Sequence, residues 1–167
     1  QEIFEGLKAY RLADGGMALF RPEQNARRFQ RSAKRLAMPE LPEDMFLQAC
    51  KQLIAVDKDW FPPVDGGSIY LRPFMIASEV FLGVKPSAEY LFMVIASAAG
   101  SYFKSGAPAI SIWVSEQYTR AAPGGTGAAK CGGNYAASLV AQSEAIKQGC
   151  DQVVFLDAAE HRWVEEL

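Results

Sequence analysis

From Ala99 to Thr126 the chain is rich in glycine, proline and other small residues, a composition that interrupts regular structure and suits a connection between two folding units. It runs into Gly124-Gly125-Thr126-Gly127-Ala128-Ala129-Lys130-Cys131-Gly132-Gly133-Asn134-Tyr135, where one lysine stands among residues of little side-chain bulk. A flat ligand can approach such an amine closely, and the glycines permit turns that a β-carbon blocks. The setting suits a lysine whose neutral amine attacks a carbonyl, provided that desolvation or a cationic neighbour lowers its proton affinity. An ordinary surface turn has the same pattern. A phosphate-binding P-loop is excluded, because Gly125 to Lys130 lacks the G-K-[ST] ending that places a hydroxyl on magnesium.

On either side of this segment the pattern alternates strands and helices. Leu7 to Arg11 and Met17 to Phe20 read as strands joined at Asp14-Gly15-Gly16. Pro22 opens a helix at its favoured first-turn position, with Ala26, Phe29, Ala33 and Leu36 on one face. After a break at Pro39 to Pro42, a second amphipathic helix is predicted through Met45, Ala49, Leu53 and Val56. Ser68 to Phe74, Tyr90 to Ala98 and Ile110 to Val114 are apolar and rich in strand-forming residues, so all three read as strands. The expected organisation is an α+β unit over 1–98, a connection over 99–126, and a second unit from 127 to 167. The second unit holds a helix from Tyr135 to Gln148 ended by Gly149, a strand from Gln152 to Leu156, a turn at Asp157 to His161 and a strand from Trp163.

With 167 residues, half of them hydrophobic, the chain can bury a real core. A net charge of -2 and the lack of any basic block argue against a nucleic-acid partner. No apolar run reaches membrane-spanning length, and no signal-peptide pattern opens the chain. Cys50, Cys131 and Cys150 are odd in number and widely spaced beside a single histidine, so neither a disulfide framework nor a zinc site is expected, and the reading is a reducing, cytoplasmic compartment.

Lys130-Cys131-Gly132-Gly133-Asn134-Tyr135 resembles the cofactor-lysine segment of the branched-chain amino acid aminotransferases, class IV pyridoxal phosphate enzymes with the D-amino acid aminotransferase-like fold (fold type IV). Three further segments agree in family order: Phe4-Glu5-Gly6-Leu7-Lys8-Ala9-Tyr10, Phe20-Arg21-Pro22 with Asn25 and Arg28, and Tyr70-Leu71-Arg72-Pro73. The implied fold is therefore a two-domain α+β / α/β aminotransferase. The chain starts at Gln1 inside one motif and stops at Leu167 just after strand-like residues, so it is expected to be a fragment with part of its active site outside these residues.

The resemblance implies pyridoxal 5'-phosphate as cofactor and assigns it partners. Lys130 is the cofactor lysine and moves the substrate α-proton. Arg28 takes the phosphate, for which a planar, permanently charged fork is suited; by spacing alone Arg27 and Arg31 serve equally. Tyr135 bonds the ring oxygen. Glu166 faces the pyridine nitrogen, with Glu165 leaving the register open by one. Tyr70 and Arg72, two apart on a strand and so on one face, are implied to meet the substrate. Phe4 and Tyr102 would line its side-chain pocket, and Val84 would reach the neighbouring subunit of a homodimer. The implied reaction is amino-group transfer between leucine, isoleucine or valine and 2-oxoglutarate, the partners being amino acids and 2-oxo acids. D-amino acid aminotransferase and aminodeoxychorismate lyase activities share the fold, and a non-catalytic ligand-binding domain in which Lys130 merely pairs with an anion is the alternative from another class.

Overall fold

The computed structural model describes residues 1–62, 67–100 and 109–167. The chain divides into two units, Gln1–Tyr102 and Phe103–Leu167.

The first unit contains β1 (Glu2–Phe4), β2 (Leu7–Arg11), β3 (Met17–Leu19), α1 (Pro22–Arg35), α2 (Glu43–Val56), β4 (Ser68–Ala77) and β5 (Tyr90–Ala99), with a short 3₁₀ turn at Lys58–Trp60. Among the described residues its strands form one antiparallel sheet in which β4 is paired by β5 along its whole length, by β1 at Phe74 to Ile76 and by β2 at Ser68 to Leu71. Phe4 faces Phe74 and Leu7 faces Leu71 in one unbroken register, so β1 and β2 are a single strand interrupted at Glu5-Gly6, and β2 pairs on its other side with β3. The interruption has a covalent cause. Glu5 N–H donates to the Pro73 carbonyl at 2.7 Å, but Pro73 has no N–H to return to Glu5.

Alternation along β4 decides which residues face which way. Ile69, Leu71, Pro73 and Met75 are buried together with Ile3 and Leu7, while Tyr70, Arg72 and Phe74 turn to the other face with Phe4. α1 packs on β1 and α2 on β4 and β5, as a helical layer over an antiparallel sheet. Glu23 in the first turn of α1 and Lys34 and Arg35 in its last turn complement the helix dipole. Its buried face carries Ala26, Phe29, Ser32 and Ala33; Leu36 falls at the C-cap and is only partly buried.

α2 corrects the sequence reading by one position. The buried residues are Phe46, Cys50 and Ile54, whereas Met45 and Val56 are exposed. Both series have helical spacing, and the aromatic contacts select between them. Phe46 packs against Phe29 at 5.4 Å and against Phe92 at 6.3 Å between ring centroids, a three-ring cluster joining both helices to β5. Burial raises the pKa of the Cys50 thiol to about 11, so it remains a protonated apolar side chain at neutral pH.

The second unit contains β6 (Ile112–Ser115), α3 (Gly132–Lys147), β7 (Gln152–Leu156) and β8 (Val164–Glu166). β6 matches the strand expected at Ile110 to Val114, but it belongs to this unit rather than to a connection: it is the parallel partner of β7, with α3 as the crossover. Ala141 and Ala145 of α3 pack on Val153 and Phe155 of β7, flanked by Trp113, Tyr118 and Cys150. The alanines let the helix lie close to the sheet.

β8 returns antiparallel to β7 through a turn organised by one carboxylate. Asp157 Oδ1 accepts N–H bonds from Arg162 (2.9 Å) and Trp163 (2.8 Å), and Oδ2 accepts from Ala159 (3.1 Å) and Glu160 (2.7 Å). These donors, Trp163 first, hold the Asp157 carboxyl well below the usual carboxylate range. A depressed acid stabilises the fold above its unfolded value, about 3.9, and loses that contribution as pH falls through its folded value. Hydrogen-exchange protection of Arg162 and Trp163, corrected for intrinsic rate, is therefore expected to hold from pH 8 to about pH 5 and to fail only in stronger acid. Asp157→Ala is expected to lose that protection at every pH; retained protection in the variant would refute the role given to this side chain.

Among the described residues no helix is long and apolar enough to cross a membrane.

Candidate functional site

In the first unit the charged centre is Glu5, which is 0% exposed. Arg28 Nε donates to its Oε1 at 2.6 Å and Nη2 to its Oε2 at 2.8 Å, a bidentate fork. Asn25 Nδ2 (2.8 Å) and the Gly6 N–H (3.1 Å) also donate to Oε2. Among the described residues the carboxylate thus has four donors, which is what an anion removed from water requires. Arg28 remains 44% exposed at its side chain. Arg27, equivalent by spacing, turns instead to exposed Glu43 at 3.4 Å.

On the other face of the sheet the structure brings together Phe4, Tyr70 and Arg72. The Arg72 guanidinium lies 4.6 Å from the Phe4 ring centroid and 5.1 Å from that of Tyr70. Gly6 makes room for this group: a β-carbon there would collide with the Tyr70 hydroxyl. Val84 is fully exposed on the loop after β4, as are Val80 and Leu82. Tyr102 lies outside the described residues.

In the second unit Lys130 ends the glycine-rich loop, and its Nζ donates to the Tyr135 hydroxyl while lying 4.6 Å from that ring's centroid. About one turn of helix separates the two, so the start of α3 fixes the phenol beside the amine. Asn134 fixes the loop itself. It is buried, its Nδ2 donates to the Thr126 carbonyl at 2.9 Å and the Ala129 carbonyl at 2.8 Å, and its Oδ1 accepts from Thr126 Oγ1 at 2.7 Å. Gly127 packs so tightly on Ala121 that a β-carbon would overlap it. Asn134→Ala is expected to destabilise the full-length protein by about 2 kcal/mol, through orphaned buried acceptors. Urea unfolding measures this, and a loss below about 0.5 kcal/mol would refute it.

Glu166 pairs with Phe155 across a bulge that leaves Glu165 between the paired positions. Its Oε2 lies 3.0 Å from Arg120 Nη1. Sequence reasoning gave Glu5, Arg120 and Asn134 no role. Glu5 and Asn134 stood inside quoted motifs, and an acid or amide in step with buried neighbours was the available signal; Arg120, a cation in a small-residue stretch, offered a weaker one.

The amino-transferase class IV family model matches residues 2–165. The chain is 64% identical over its whole length to a branched-chain-amino-acid aminotransferase of Mycolicibacterium smegmatis, 46% of which it covers. It is 51% identical to branched-chain-amino-acid transaminase 1 of Bacillus subtilis, covering 47% of that protein. Among solved structures, a T.th. branched-chain amino acid aminotransferase complexed with N-(5'-phosphopyridoxyl)-L-glutamate matches 99% of the chain at TM-score 0.78 and 32% identity, over 52% of its own length. The branched-chain amino acid aminotransferase from Escherichia coli matches 94% at TM-score 0.71 and 31% identity, over 49% of its length. The chain spans about half the length of the curated relatives it matches. A lysine and tyrosine joined at the head of α3, in a sequence matched by one family model almost from end to end, identify the chain as a member of the class IV aminotransferases.

Proposed function

We propose that the protein containing this chain transfers the amino group of leucine, isoleucine or valine to 2-oxoglutarate with pyridoxal 5'-phosphate as cofactor. The observation that carries the reading is the Lys130 amine hydrogen-bonded to the Tyr135 hydroxyl, at the end of a loop pinned by a buried amide. The side chains present fit the cofactor by their chemistry: an amine for its aldehyde (Lys130), a phenol for its ring oxygen (Tyr135), a carboxylate for its ring nitrogen (Glu166) and a guanidinium for its phosphate (Arg28). When bound, the cofactor supplies an electron sink for negative charge at the substrate α-carbon. Lys130 Nζ would take the α-proton from one face of the substrate and move it onward on that same face, acting as base and then acid.

Tyr70 and Arg72 provide a hydroxyl and a cation for substrate carboxylates. Phe4 gives an apolar wall for a branched side chain, and by the resemblance we assign Tyr102 to the same role. The exposed apolar Val80, Leu82 and Val84 suit a contact with a second copy, so we read the enzyme as a homodimer, with Val84 contributing to the partner's pocket. The three free thiols of this chain suit a reducing compartment, and we assign the enzyme to the cytoplasm. The relatives named above carry the branched-chain name, which favours this activity over the D-amino acid and lyase alternatives.

The test is to reduce the full-length holoenzyme with borohydride, digest it and map the pyridoxyl group. Recovery on Lys130 is expected. Recovery on Lys8 or Lys147 would overturn the assignment.

A further inference from the structure

The guanidinium of Arg120 is 10% exposed, and among the described residues Glu166 is its ion-pair partner, at 3.0 Å between Nη1 and Oε2. A cation so withdrawn from water needs a counter-charge, and one exposed carboxylate at the edge of a sheet is a poor choice for that task unless the carboxylate itself must be held still. Glu166 is 49% exposed and sits beside a bulge on a three-residue strand, so its backbone alone fixes its side chain poorly. The residue after Arg120 is Ala121, whose methyl packs on Gly127 in the loop that ends at Lys130. Arg120 is therefore anchored to the same loop as the amine, and it grips the carboxylate from there.

We propose that Arg120 is a positioning residue: by engaging Oε2 it fixes the Glu166 carboxylate in one orientation, so that its other oxygen receives the protonated ring nitrogen of the cofactor. This rests on the assignment of Glu166 to the ring nitrogen made above. Arg120 thus acts on the cofactor through Glu166.

The test uses the full-length holoenzyme with Arg120→Met, Arg120→Lys, Glu166→Gln and the double variant Arg120→Met/Glu166→Gln. Three quantities are read: the position of the visible absorption band, the dissociation constant of pyridoxal 5'-phosphate, and the melting midpoint of the cofactor-free protein. Arg120→Met is expected to shift the band in the same direction as Glu166→Gln and to weaken cofactor binding about tenfold, the size of one charge-assisted hydrogen bond. The double variant is expected to look like Glu166→Gln alone, because groups acting through one another are not additive. Arg120→Lys, which keeps the charge and the fold but not the planar fork, is expected to fall between parent and Arg120→Met and stands in if Arg120→Met does not fold. A parent-like band and affinity in Arg120→Met, or fully additive effects in the double variant, would overturn the proposal while leaving Glu166 in place. If Glu166→Gln changes neither band nor affinity, the assignment of Glu166 falls and the role of Arg120 falls with it.

Discussion

Lys130→Ala in the full-length protein is expected to lower transamination by at least about 10⁴-fold, the upper end of what a positioned acid-base group contributes, because covalent attachment is lost as well. The melting midpoint of the cofactor-free protein should stay within a few degrees of the parent. These two outcomes separate because the loop is held by Asn134, through the carbonyls of Thr126 and Ala129, rather than by the lysine. Added amines test the assignment further: a small primary amine that restores part of the rate to Lys130→Ala would replace the missing base without replacing any packing. A variant that retains more than a tenth of parental activity would remove Lys130 from the chemistry altogether.

Glu5→Ala is expected to cost about 3 kcal/mol of stability, the lower end of the range for removing one partner of a buried ion pair. The lower end applies because Arg28 is 44% exposed and water can reach part of its guanidinium once the acid is gone. The Asn25 amide and the Gly6 N–H also lose their shared acceptor. Glu5→Gln keeps the shape and one acceptor oxygen, and so should cost less than Glu5→Ala but more than a surface substitution. Equilibrium unfolding in urea, monitored by tryptophan fluorescence, distinguishes the variants. A cost below about 1 kcal/mol for Glu5→Ala would mean that the fork is not supporting the fold. Both variants should also weaken cofactor retention if Arg28 takes the phosphate, since the guanidinium would lose the partner that orients it.

The elements that could be read directly were those whose period and boundaries agree. The face of α1 with Ala26, Phe29 and Ala33 repeats at helical spacing after a proline suited to a first turn, and those residues are buried. The turn after β7 was visible in its composition, though not the four amides that one aspartate gathers there. α2 shows the limit of periodicity: Met45 and Ala49, or Phe46 and Cys50, are equally good stripes, and the choice depends on aromatic partners in α1 and β5 that no local window contains. β6 could be read as a strand at Ile110 to Val114, but its place in the second unit could not, because a four-residue strand between glycine-rich stretches is stabilised by a parallel neighbour far along the chain. At the site, the lysine loop was legible because its small residues are contiguous. The ion pairs of Glu5 with Arg28 and of Glu166 with Arg120 join positions 23 and 46 residues apart, and pairing over such distances is a property of topology.

A single hydrogen absent from Pro73 has an effect on motion as well as on shape. An uninterrupted strand would open and close against β4 as one zipper, from Glu2 to Arg11. With no amide at Pro73 to return to Glu5, the rungs at Phe4 and those at Leu7 belong to separate lengths of ladder, and the short outer length can fray while the inner one stays paired. Phe4 rides on the outer length and Lys8 on the inner. The wall proposed for Phe4 then stands on a tether that loosens by itself, and it can yield to side chains of differing branch position with little disturbance to the sheet behind it.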